Sequence, residues 1–226
     1  MYFDTTYLIL LPAILFALWA QNRVKSTYAQ YSQVFAGLTG AEAARMVLEM
    51  NGVTGVDIRP VAGELTDHFD PRTNTISLSK GVYNVTSVAA VGVAAHEAGH
   101  AVQYAQGYGP IKVRTAIIPV TNIGSYLSWP LLVIGVLLGS ETLAMAGVLL
   151  FCAVVAFQLV TLPVEFNASN RALDALGASG YLKEEQLDGA GKVLRAAAMT
   201  YVAALAQALA QLLRLVMIAK RGNRRD

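Results

Sequence analysis

Two of the chain's three histidines fall in one five-residue segment, His96-Glu97-Ala98-Gly99-His100. Residues four apart on a helix differ by about 40° around its axis, so both imidazoles leave the same face. Two imidazoles so placed can bind one Zn²⁺, and the carboxylate of Glu97 projects beside them. The chemistry this suits is hydrolysis. A divalent metal lowers the pKa of water, and a neighbouring carboxylate takes the proton as hydroxide attacks a carbonyl. The bare pattern also arises by chance, as a helix with two half-exposed histidines and a surface glutamate. The flanks argue against that reading. Val91 to Ala95 and Ala101-Val102 are apolar all round, and His and Glu in such a helix are costly to bury unless paired or metal-bound. Gly99 leaves room on the helix for another element to come close.

Catalytic zinc takes three protein ligands and keeps one open position. His68 is the remaining histidine. Glu165 is the other candidate, by topology. An even number of membrane crossings between His100 and Glu165 returns the chain to the side it left. Glu165 is the first charged residue after that return, and it is expected to open a helical stretch, Glu165 to Leu176. The same position also suits a glutamate that merely ends a membrane helix.

The elements that hold these residues must be largely apolar. Hydrophobic types make up 55% of the 226 residues and charged types 14%, with a mean hydropathy of +0.47. A soluble domain carries about 25% charged residues, so the composition excludes a disordered chain and argues against a simple soluble globule. Four uncharged runs account for the deficit: Thr5 to Asn22, Thr115 to Ser140, Thr142 to Val164, and Ala196 to Leu213. A bilayer core takes about 20 apolar residues in a helix. The middle two runs are interrupted only by Glu141 and read as a transmembrane hairpin across 115–164. The first, 5–22, reads as a membrane helix anchored by Tyr7 and Trp19 at the interfaces. The last, 196–219, carries Gln207, Gln211 and Arg214 on one face, which fits a packed span or a helix lying in the interface. A net charge of +2 and the absence of a clustered basic motif before the tail exclude nucleic acid as a partner. The single cysteine, Cys152, excludes an internal disulfide framework.

Two polar segments remain, 23–114 and 165–195. In the first, Thr39-x-x-Glu42 is a capping box, followed by helical spacing from Ala41 to Met50 and a stop at Asn51-Gly52. Val56 to Val61 and Thr75 to Ser79 read as short strands, the second preceded by the turn Asp70-Pro71-Arg72-Thr73-Asn74. Thr86 or Ser87 caps a long helix that runs through Gln106. The fold expected is mainly α and membrane-integral, with a small β element and three or four transmembrane helices.

The His96–His100 segment, a transmembrane hairpin, and then Glu165-Phe166-Asn167-Ala168-Ser169-Asn170-Arg171-Ala172 resemble the HtpX-like integral membrane metallopeptidases. Those carry HExxH, intervening spans, and a motif of the type E-x-x-A-D. The chain looks more closely like the YugP-like family of small bacterial zinc membrane proteases. That likeness covers most of the chain, including Asp67-His68-Phe69-Asp70-Pro71-Arg72 and Asn74 to Gly81. The resemblance implies a gluzincin-type peptidase core, one Zn²⁺ per chain, endopeptidase activity, and a bacterial cell membrane as its location. It also implies Glu165 as third ligand beside His96 and His100. Where the HtpX-like motif has an Asp that orients a ligand histidine, this chain has Ser169, which brings no charge. Asn167 and Asn170 are candidates to share that task. His68 and Arg171 are candidates to stabilise an oxyanion. The strand Thr75-Ile76-Ser77-Leu78-Ser79 is placed by resemblance at the active-site edge, where an extended substrate peptide would pair with it; the alternative is an ordinary half-buried strand.

Arg23, Lys25, Lys112 and Arg114 flank the first two spans on one side, and Asp4 lies on the other. The positive-inside rule then puts the catalytic segment in the cytoplasm. The tail conflicts: Lys220, Arg221, Arg224 and Arg225, against Asp226 alone, would lie outside if the last helix crosses. Functionally, the residues point to a zinc endopeptidase that hydrolyses membrane or membrane-proximal proteins by metal-activated water, with Glu97 as base. The competing class is a zinc-stabilised membrane scaffold without turnover, against which Glu97 speaks, since a structural site needs no base. A channel or transporter would need more ionisable residues in the spans.

Overall fold

The computed structural model describes residues 5–222. Asp4, Arg224, Arg225 and Asp226 of the orientation argument lie outside the described residues, as does the Arg221 side chain. A 3₁₀ turn, Thr5–Leu10, leads into α1 (Leu11–Tyr31). There follow α2 (Gly40–Met50), β1 (Asp57–Val61), β2 (His68–Asp70), β3 (Thr75–Ser79) and α3 (Val88–Ala105). Three long helices complete the chain: α4 (Gly109–Leu137), α5 (Glu141–Ser179) and α6 (Glu184–Gly222). The fold is thus mainly helical with one small sheet. Among the described residues, four stretches are long and apolar enough to cross a membrane: Thr6–Tyr31, Gly109–Leu137, Glu141–Ser179 and Glu184–Lys220.

The chain divides into two units. One comprises Gln21–Ile111 and Pro163–Met199. Here the capping box forms as its sequence demands: Thr39 Oγ1 accepts from Glu42 N, and Thr39 N donates to the Glu42 carboxylate at 2.7 Å. α2 buries Ala43, Ala44, Val47 and Leu48 in the core. Ser87 caps α3, accepting from Ala90 N at 3.2 Å. From Val88 to Gln103, α3 is buried except at Val93, His96, Glu97 and His100. Those four fall on one stripe, so the less buried side of an otherwise enclosed helix is the side that carries both histidines and Glu97.

The sheet corrects one expectation. Its order is β1-β3-β2, so Thr75–Ser79 is the central strand. It pairs in parallel with β1 along its whole length and antiparallel with β2 at Thr75, Ile76 and Ser77. Beyond β2, the Asp67 carboxylate takes the Ser79 N–H at 2.7 Å and its hydroxyl at 3.0 Å. Its ladder groups are spent on both sides, so an incoming peptide has no free edge on this strand to pair with. The strand that closes it, His68–Asp70, is too short to show a period in sequence.

A second correction concerns α5. Glu165 does not open a helical stretch: it lies inside one helix that runs unbroken from Glu141 to Ser179, with Pro163 within it. No capping residue or glycine stop stands between the apolar run and Glu165.

The other unit comprises Met1–Ala20, Lys112–Leu162 and Thr200–Asp226. α4 and α5 form a hairpin through Leu138, Gly139 and Ser140, with Gly139 at φ +63°. Gly147 meets the backbone of Ser128 and Leu132, where any Cβ would clash, the close approach typical of small residues between membrane helices. Leu215 and Ala219 of α6 pack in one cluster with Leu132, Ala144 and Val148. Arg214 is buried on that helix: its Nε donates to Thr6 Oγ1 at 3.2 Å, and its guanidinium sits 3.8 Å from the Tyr7 ring centre and 5.2 Å from that of Trp129. Aromatic faces and a hydroxyl offset part of the cost of that charge.

Candidate active site

Helices α3 and α5 meet backbone to backbone. A Cβ on Gly99 would strike the carbonyl of Ala168, so the absence of a side chain at Gly99 sets how near the two helices come. Ala98, Ala101, Ala168 and Ala172 are buried in the same unit. This close packing delivers Glu165 to the histidines. Glu165 Oε2 lies 3.3 Å from His96 Nε2 and 3.6 Å from His100 Nε2. The imidazole rings stand edge to face with centres 4.7 Å apart. Glu165 is 2% exposed.

The donor set fits zinc. One ligand atom from each of His96, His100 and Glu165 lies within 4.8 Å of the others. Tetrahedral zinc with ligand bonds of about 2.0–2.1 Å has ligand–ligand edges of about 3.3–3.4 Å, and the two His–Glu separations, 3.3 and 3.6 Å, bracket or approach that edge. Two histidines and a glutamate are also a set that leaves a fourth position open.

Both Nδ1 atoms are engaged on the far side of the rings. His96 Nδ1 is 3.1 Å from Ser169 Oγ, and His100 Nδ1 is 3.0 Å from Gln103 Oε1. Ser169, the uncharged residue at the position where the motif it resembles has an Asp, therefore meets His96 as a neutral partner. Asn167 does not touch a histidine. Its Oδ1 accepts from Gln103 Nε2 at 2.9 Å and from Arg171 Nε at 2.7 Å. Arg171 also donates to Gln106 Oε1 at 2.5 Å and lies over the Tyr108 ring, so it serves this hydrogen-bond chain. Asn170 is exposed. His68 is exposed on β2, with Nδ1 2.8 Å from the Thr66 carbonyl, and is not part of the metal-ready group. Glu97 is half-buried on the open stripe of α3, and its charge acts on His100.

Burial alone would depress His100, but the Glu165 hydrogen bond and the nearby charges of Glu97 and Glu165 outweigh it and raise the imidazole above its ordinary value. The residue that sequence reasoning missed is Gln103. Its one signal was a lone amide on an apolar helix, three residues after His100.

Residues 6–220 match the model of a family described as "putative neutral zinc metallopeptidase", and the chain belongs to that family. Among curated proteins it is similar to the "Putative membrane protease YugP" of Bacillus subtilis (strain 168), at 46% identity over 215 residues, covering 94% of this chain and 96% of that one. No solved structure matches.

Proposed function

We propose that this chain is a zinc-dependent integral membrane endopeptidase with a gluzincin-like site. His96, His100 and Glu165 would hold one Zn²⁺, and Glu97 would act as general base. The observation that carries the reading is the convergence of Glu165 Oε2 on two Nε2 atoms at 3.3 and 3.6 Å. Zinc bound there would supply a Lewis acid that polarises the scissile carbonyl and acidifies water. The protein's own part is positional and acid–base. Ser169 and Gln103 hold the two imidazoles with Nε2 toward the site. Glu97, on the open stripe beside them, takes a proton from the attacking water and returns it to the leaving amine.

The substrates proposed are membrane or membrane-proximal polypeptides on the cytoplasmic side. Arg23, Lys25, Lys112 and Arg114 support that orientation. We further read 5–22, the 115–164 hairpin and 196–219 as the membrane portion, with the last helix crossing. Its support is the packing of Leu215 and Ala219 against Leu132 and Ala144, residues near the hairpin turn.

The test is Glu97→Gln in the purified full-length chain, read for zinc content and for cleavage of an unfolded protein substrate. Zinc retained at one per chain with cleavage abolished is expected. Cleavage at the wild-type rate would overturn the assignment of Glu97, and a wild-type chain that binds no zinc would overturn the reading as a whole.

A further inference from the structure

Gln103 lies one helical turn beyond His100 and is fully buried. Its amide reaches three groups: Oε1 to His100 Nδ1 at 3.0 Å, and Nε2 to the Val164 carbonyl at 2.8 Å and to Asn167 Oδ1 at 2.9 Å. The direction of this amide is dictated by its surroundings. A backbone carbonyl only accepts, so the end facing Val164 must be the NH₂ group. Asn167 is fixed the same way, because the atom that meets Gln103 Nε2 also meets Arg171 Nε at 2.7 Å, and a guanidinium only donates. With both amides oriented, Gln103 turns an oxygen to His100. That oxygen only accepts, so the proton of a neutral His100 sits on Nδ1. The lone pair is left on Nε2, the nitrogen 3.6 Å from Glu165. His96 has no such instruction, since the Ser169 hydroxyl can donate or accept.

We propose that Gln103 is a positioning residue that fixes His100 as the Nδ1–H tautomer and so presents Nε2 to the metal. The inference rests on the zinc site proposed above. Gln103 also ties α3 to α5 through the carbonyl of Val164, the residue before Glu165, so a merely structural role has to be separated from an orienting one.

Two substitutions separate them. Gln103→Leu removes the acceptor for His100 and both N–H donors. Gln103→Glu keeps an oxygen for His100 but has no N–H for Val164 or Asn167. In the full-length chain, zinc affinity is measured by competition with a chelating dye, and the melting temperature is measured without metal. Both variants are expected to melt lower than wild type. Only Gln103→Leu should lose zinc affinity, by about 10- to 100-fold, the usual consequence of removing a partner of a ligand histidine. Gln103→Glu should stay near wild type. Unchanged affinity in Gln103→Leu, or an equal loss in Gln103→Glu, overturns the proposal. Should Gln103→Leu fail to fold, ¹⁵N spectra of labelled imidazoles in the zinc-loaded wild-type chain decide: ligation by His100 through Nε2 supports it, and ligation through Nδ1 overturns it. A wild-type chain that binds no zinc removes the site itself, whereas normal binding by Gln103→Leu removes this inference alone.

Discussion

Gly99 and Ala168 are the point where α3 and α5 touch through their backbones, and the position of Glu165 against His96 depends on that contact. At an exposed helical site, Gly→Ala gains about 1 kcal/mol of helix propensity. At Gly99 the new methyl would run into a backbone carbonyl, which cannot move aside like a flexible side chain. Overpacking of this kind costs about 1–3 kcal/mol, so the steric term prevails. Gly99→Ala is expected to lower the melting temperature and also zinc affinity, because spreading the helices parts Glu165 from the histidines. Gly92 is the control on the same helix. A Cβ there meets Ala190 Cβ at 3.6 Å, an ordinary contact, so Gly92→Ala should be neutral or slightly stabilising and leave zinc affinity unchanged. Equal behaviour of the two variants in thermal melts and zinc titrations would contradict the account.

Glu165→Gln tests the third ligand directly. The amide keeps nearly the same volume and can still accept a hydrogen bond, so the fold should persist. What it loses is the negative charge and the strong donor oxygen that zinc takes from a carboxylate. Zinc retained after gel filtration, measured by elemental analysis, should fall well below one per chain. Full occupancy would remove Glu165 from the ligand set.

In the zinc site proposed above, protons would compete with the metal for His100. Its pKa in the metal-free fold is raised above the ordinary 6.5: burial opposes this, and the Glu165 hydrogen bond and the charge of Glu97 outweigh burial. A raised histidine contributes stability in full below its unfolded value of about 6.5, and that contribution is lost as pH rises through the folded value. Zinc needs the imidazole neutral, so its stabilisation runs the opposite way. The zinc-induced rise in melting temperature should therefore grow between about pH 6 and pH 8. A rise that is constant, or larger at the acidic end, would show that His100 is not the competing group.

Parts of this arrangement were legible from local chemistry. The four-residue spacing of His96 and His100 put both rings on one face of one helix, and Thr39, Glu42 and Ser87 marked helix starts through caps that are purely local. What sequence concealed depended on distant partners. Thr75–Ser79 was identifiable as a strand, yet its central place depends on His68–Asp70, three residues with no pattern of their own. Glu165 marks the end of an apolar run, which was mistaken for a helix boundary. Hydropathy records where the lipid-compatible residues stop, whereas the helix itself carries on through Pro163 and Glu165 to Ser179. Gln103 was hidden because its partner across the helix interface is the carbonyl of Val164, and a main-chain acceptor leaves no trace in residue types.

The last helix sets packing against charge. Leu215 and Ala219 share a cluster with Leu132 and Ala144, and Arg214 is held by Thr6 and the Tyr7 and Trp129 rings, as expected for a helix that runs beside the hairpin toward its turn. With α6 crossing as proposed above, Lys220 and Arg221 fall on the side that the positive-inside rule disfavours. The rule weighs the basic residues of the whole chain, and the first spans usually dominate it. Arg23, Lys25, Lys112 and Arg114 should therefore prevail over the tail. Cys152 is the single cysteine, so a Cys152→Ser background allows one thiol to be placed at a time. Lys183→Cys and Lys220→Cys, each probed with a membrane-impermeant maleimide in intact cells and in inside-out vesicles, should label from opposite sides: Lys183→Cys in the vesicles and Lys220→Cys in the cells. Labelling of both in the vesicles would place α6 along the interface and return the basic tail to the cytoplasm, and labelling of both in intact cells would overturn the orientation itself.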